Sequence, residues 1–211
     1  MVRNSLQKVV LLNFLLARNR FRTNYNATFL WDSSGDTSNV TSMSGMFECA
    51  TAFNQPLNNW DTSNVTIMSY MFFGVYNYYD KITNGNKYIA VGDYSYKLIC
   101  NKMTKFNQPL DNWDTSNVTS MTGMFRGATA FNQPLNDWDT SNVTDMSNMF
   151  ARATAFNQPL DYWNISKVIN MDNIFQNSNL TSINYCKLFR GPYSSYWSNF
   201  KDSLGRSYNC N

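Results

Sequence analysis

Asp36, Asp61, Asp114 and Asp139 recur at one phase of a regular sequence, each followed by Thr-Ser-Asn. Carboxylates brought together at that phase have two uses. They can ligate a hard cation such as calcium, which takes oxygen donors, or they can accept hydrogen bonds from the chain around them. The second use is expected here. The glycine-rich nonapeptide of calcium-binding β-rolls is absent, and Asn164 replaces the fifth member with a neutral acceptor. No histidine occurs in the 211 residues, which removes the commonest general base and metal ligand. There is no glycine-rich phosphate loop either, so the chain is read as non-catalytic, with no cofactor and no metal. Cys49, Cys100, Cys186 and Cys210 form no C-x-x-C pair. Cys186 and Cys210 are a candidate disulfide in the tail, whereas Cys49 stands at the phase of Gly127 and reads as a small buried thiol. Asn-x-Ser/Thr acceptors for glycosylation occur at Asn26, Asn39, Asn64, Asn117, Asn142, Asn164 and Asn179. Five of these are one corner repeated, better explained by stacked asparagines bonding main chain, so Asn26 and Asn179 are the possible glycosylation sites.

These residues are positioned by a repeat. Phe-Asn-Gln-Pro-Leu begins at Phe53, Phe106, Phe131 and Phe156, and a second phrase places valines at Val40, Val65, Val118, Val143 and Val168. Neighbouring valines are 25 residues apart, except for one gap of 53. A fixed period of this size marks a stacked-repeat architecture whose units bury their apolar side only against one another. Phe53, Leu57, Trp60, Val65, Met68, Met71 and Phe72 return as Phe106, Leu110, Trp113, Val118, Met121, Met124 and Phe125, and twice more after that. Burying each such side chain contributes about 1.5–3 kcal/mol, so these columns are the expected core. The proline fixes a strand start, Asp-Thr-Ser-Asn reads as a corner, and Met68-x-x-Met71-Phe72 has the i, i+3, i+4 spacing of a short helix. The expected fold is a leucine-rich-repeat-like solenoid of about five rungs, each a short strand plus a short helix.

Residues 1–30 hold Arg3, Lys8, Arg18, Arg20 and Arg22 without an acid, around the apolar run Val9–Ala17. They read as an N-terminal cap helix, with a targeting segment or a basic arm as alternatives. The solenoid is expected over 31–175, interrupted by an insertion at about 74–103, with a C-terminal cap over 176–211. The insertion carries Tyr76, Tyr78, Tyr79, Tyr88, Tyr94 and Tyr96. It reads as a β-hairpin excursion with its last turn at Gly92-Asp93, and is either a candidate partner-binding loop or a degenerate rung patching the stack. No stretch approaches the ~20 apolar residues of a membrane-spanning helix, and nucleic-acid binding rests on the basic N-terminus alone.

The repeat FNQPLxxWDTSNVTxMsxMF closely resembles that of the BspA-like leucine-rich-repeat surface proteins, in the form associated with mycoplasma surface lipoproteins; similar arrays occur in large DNA viruses. The resemblance covers residues 31–175 apart from the insertion. It implies a surface recognition or adhesion module that binds a protein or glycan on a host or neighbouring surface. The expected location is a cell surface, the secreted fraction or a virion, with the cytoplasm left open. Lipobox cysteine and wall anchor are both missing from this sequence. An architectural component of a surface layer or particle is the alternative.

Overall fold

The computed structural model describes residues 36–74, 89–91, 94–96, 103, 105–188 and 190–197. The N-terminal segment 1–30, Asn26, and Tyr76, Tyr78, Tyr79 and Tyr88 of the insertion lie outside them.

Successive repeats hydrogen-bond to one another in phase. Single parallel bridges join Ser42 to Ile67, Ile67 to Ser120, Ser120 to Asp145 and Asp145 to Asn170. Around each bridge, alternate amides reach the next repeat. Met43, Gly45, Phe47 and Cys49 donate to the carbonyls of Ile67, Ser69, Met71 and Phe73; the same set recurs at every later junction, down to Met146, Asn148, Phe150 and Arg152 on Asn170, Asp172, Ile174 and Gln176. We call the five units rungs, over 36–52, 53–74, 106–130, 131–155 and 156–180.

The short helix expected at Met68-x-x-Met71-Phe72 is not an α-helix. The amides between the ladder positions close four-residue turns instead, Met46 on Met43, Glu48 on Gly45 and Ala50 on Phe47. Positive φ recurs at two phases of the repeat: Gly45, Tyr70, Gly123, Asn148 and Asn173 at one, and Cys49, Gly127, Arg152 and Asn177 at the other, all between 56° and 73°. Each stands third in its turn, where a type II turn requires φ above zero. Residues of that conformation cannot continue a right-handed helix, and the chain gains inter-rung bonds in place of i−4 bonds. The short strands are likewise reduced to single bridges in the rungs.

The seven expected columns line the core. Leu57, Val65, Met68, Met71 and Phe72 are fully buried, as are their equivalents in the next two rungs, while Trp60 at the thin end of the stack is only partly covered. Phenylalanines form a two-column zipper: Phe47, Phe72, Phe125, Phe150 and Phe175 stack at centroid spacings of 5.5–5.8 Å. Each of the first four also lies 4.0–4.1 Å from the opening phenylalanine of the adjacent repeat phrase. Such offset aromatic pairs add about 0.5–1.5 kcal/mol beyond area.

The insertion adds no rung. Phe72 packs on Phe106 at 4.0 Å, just as Phe47 packs on Phe53, and Met68 donates directly to Ser120 across it. Two strands are described within it, β1 (Ile89–Val91) and β2 (Tyr94–Tyr96), paired antiparallel with Val91 opposite Tyr94. The chain is back in the stack by Met103, which is buried and bridged to Ala128. Beyond rung 5, α1 (Ser182–Leu188) and α2 (Ser194–Trp197) follow, with Leu180, Cys186 and Leu188 buried. Glycine is required at Gly191, where a Cβ would run into the Asp161 main-chain oxygen.

Candidate functional site

The chemistry-bearing residues singled out from sequence gather on one edge of the stack, at the Asp-Thr-Ser-Asn corner. Each acid accepts from the amide two residues on: Ser38 to Asp36 at 2.9 Å, Ser63 to Asp61 at 3.0 Å, Ser116 to Asp114 at 2.9 Å and Ser141 to Asp139 at 2.9 Å. Asn164 takes the same bond from Ser166 at 3.1 Å. These are Asx turns, and they account for the recurring acid. The Ser63 hydroxyl adds a 2.6 Å bond to the Asp61 carboxylate. Hydrogen bonds from that hydroxyl, then from the Ser63 amide, hold Asp61 below the ordinary aspartate value. Glu48 moves the other way, raised by desolvation although its side chain keeps solvent contact.

The rest of the corner is also committed to the backbone. Buried Thr62, Thr115 and Thr140 donate their hydroxyls to the main-chain oxygens of Asp114, Asp139 and Asn164 at 2.9–3.0 Å. Asn64, Asn117 and Asn142 donate side-chain N–H groups to Ser38, Ser63 and Ser116 oxygens of the preceding rung, each at 2.7 Å. A sugar on any of those three asparagines would take one of the two hydrogens of a nitrogen already engaged by main chain. Asn179 is exposed, and its partner Thr181 already donates its hydroxyl to Asn157 at 2.9 Å. A second asparagine ladder runs through the Phe-Asn-Gln-Pro arc. There Asn54, Asn107 and Asn132 each accept from the amide of the next member, and Asn157 accepts from Thr181.

Among the described residues no group of three or more His, Cys, Asp or Glu is placed to hold a metal ion, and no helix is long and apolar enough to cross a membrane. Tyr94 and Tyr96 share one short strand of the insertion. Cys49 requires a correction: it is not a buried free thiol but disulfide-bonded, as is Cys186. The two do not bridge each other, because four rung steps of ~4.8 Å exceed the ~7 Å Cα reach of a disulfide. Its phase with Gly127 reflects the positive φ both share, 60° and 73°, rather than a need for small size. Sequence reasoning also missed Arg126. Its guanidinium lies 5.7 Å from the Phe73 ring, and its buried Nε has no hydrogen-bond partner.

With a repeat of this phase and geometry in hand, the comparison with known families is decisive. The model of the family described as Mycoplasma protein of unknown function, DUF285, matches residues 21–96 and again 97–187. The chain belongs to that family. No match is found among curated proteins or among solved structures.

Proposed function

We propose that this DUF285 chain is a non-catalytic recognition module: a leucine-rich-repeat-like solenoid of the BspA-like surface kind, binding protein or glycan through its polar corner face. The observation that carries this reading is the corner itself. Its serines and asparagines are exposed or half-exposed and repeat from rung to rung, and Asn64, Asn117 and Asn142 are held by bonds to main chain of the preceding rung. Side chains fixed in this way lose little entropy when a ligand docks. The disulfide-bonded Cys49 and Cys186 support an oxidising location such as a cell surface or the secreted fraction. The tyrosines of the insertion are a second contact candidate on this reading.

The test is a screen of the intact chain against a glycan array and a library of surface proteins. Any hit is then measured for a variant carrying Ser63→Lys, Ser116→Lys and Ser141→Lys, and separately for Tyr94→Ser with Tyr96→Ser. Binding lost in the first variant, with the melting temperature kept, supports the corner face. Loss only in the second assigns recognition to the insertion, and binding kept in both refutes the proposal.

A further inference from the structure

The chain has four cysteines, Cys49, Cys100, Cys186 and Cys210. Cys49 and Cys186 are each disulfide-bonded, and the stack holds them too far apart to bridge each other. Their partners are therefore Cys100 and Cys210, which lie outside the described residues. Which cysteine goes with which follows from where the chain leaves and re-enters the stack. Gly74 donates its amide to the Arg126 carbonyl, at the phase where Cys49 donates to Phe73, Gly127 to Ala151 and Arg152 to Gln176. Met103 is bridged to Ala128, the residue directly after Gly127. Gly74 and Met103 thus hold consecutive positions of rung 2, with residues 75–102 between them. Both ends of the insertion meet beside rung 1. The Cys49 amide bonds the Phe73 carbonyl at 2.7 Å, and Ala50 shares the column of Met103 and Ala128.

We propose that Cys49 is joined to Cys100, fastening the return leg of the insertion to rung 1, and that Cys186 is joined to Cys210 within the tail. Cys100 is three residues from Met103, so the two Cα atoms lie within about 11 Å of each other. Met103 in turn is one rung step of about 4.8 Å from Ala50, the neighbour of Cys49. A Cα separation under ~7 Å, which a disulfide needs, is reached without moving the stack. The crossed pairing is stretched at both ends. Cys186 stands in α1 beyond rung 5, more than three rung steps, or about 14 Å, from Met103. Cys100 would meet it only with residues 100–103 drawn out along the stack axis, and Cys210 would have to return over all five rungs to Cys49. Cys49 also carries a φ of 60° where a later rung has Gly127. A side chain kept at that backbone cost indicates that a sulfur is needed at this position. Forming each bond joins two sulfurs and releases two protons and two electrons, which a disulfide oxidant takes up by exchange as it becomes two thiols. Tyr96, the last residue of β2, is four residues from Cys100. The bond therefore ties the β1–β2 pair to rung 1 through a leash of about 14 Å at most.

Peptide mapping of the intact oxidised chain tests the pairing. Free thiols are alkylated, the chain is digested without reductant, and linked peptides are identified by mass spectrometry. The result expected is one linked pair holding Cys49 with Cys100 and one holding Cys186 with Cys210, each two hydrogens lighter than its separate thiol peptides. Cys49 linked to Cys210, or Cys49 alkylated as a free thiol, overturns the proposal. Hydrogen exchange then tests the tether. With Cys49→Ser and Cys100→Ser together, peptides covering β1 and β2 should exchange about tenfold faster or more, while those around Phe125 and Phe150 keep the parental rate. Exchange that rises equally in rungs 3 and 4, or in neither region, overturns the tether.

Discussion

Trp138 tests the physical account of the stack most directly. Its side chain is 3% exposed, lies parallel to Trp113 at 6.3 Å, and donates its indole N–H to the Leu110 carbonyl at 3.0 Å. Trp138→Ala removes the ring and leaves a cavity, at about 3–5 kcal/mol, and strands a buried carbonyl at about 1–3 kcal/mol. Because the two losses overlap, about 5 kcal/mol is expected. For a chain of this size that corresponds to a fall in Tm on the order of 10–20 °C. Trp138→Phe keeps most of the ring and isolates the lost hydrogen bond, at about 1–3 kcal/mol. Trp60→Ala should cost less than Trp138→Ala, since Trp60 is only partly buried. Asn136→Ala removes one exposed acceptor, the 3.1 Å partner of the Tyr162 amide, and should cost about 0.5–1 kcal/mol. Thermal melts followed by circular dichroism give the ranking. Equal shifts for Trp138→Ala and Asn136→Ala would refute the assignment of the columns.

The turn geometry predicts opposite signs at two positive-φ positions. Gly123→Ala should destabilise by about 1–3 kcal/mol, since its φ is +58° and a Cβ would lie 2.7 Å from the Tyr70 ring; Arg152→Gly should raise stability by about 1 kcal/mol on relief of its positive φ. Reduction by dithiothreitol should lower the melting temperature, each lost disulfide at Cys49 or Cys186 costing about 2–4 kcal/mol; an unchanged melt would exclude a stabilising role for them. Asp61 should titrate below the ordinary aspartate range by carbon-detected NMR, and Ser63→Ala should move it upward. Since its folded value is depressed, its contribution to stability is present above the unfolded value and is lost as pH falls through the folded one. A chelator should leave the melting temperature unchanged, because the corner carboxylates are occupied by serine amides; a calcium-reversible drop would overturn that assignment.

What was legible in the sequence was the phase of the core. Residues at identical phase must meet when repeats stack, so Leu57, Val65, Met68 and Phe72 announced their burial by recurring, and Asp61 announced its Asx turn through the Ser63 that follows at a fixed offset. Backbone conformation was not legible at Met68–Phe72. Linked turns and a short helix place apolar residues at the same i, i+3, i+4 positions, and the positive-φ column holds Gly, Tyr and Asn alike. The ladder amides choose between those two conformations by bonding the next rung, and that partner lies 24 or 52 residues away. Cys49 fails for the same reason, since its phase told of a special position and not of a disulfide. Sequence alone thus determined which side chains share a column, because the period is a property of the chain. Only the tertiary structure decided where each amide finds its acceptor, because those bonds exist only between rungs already stacked.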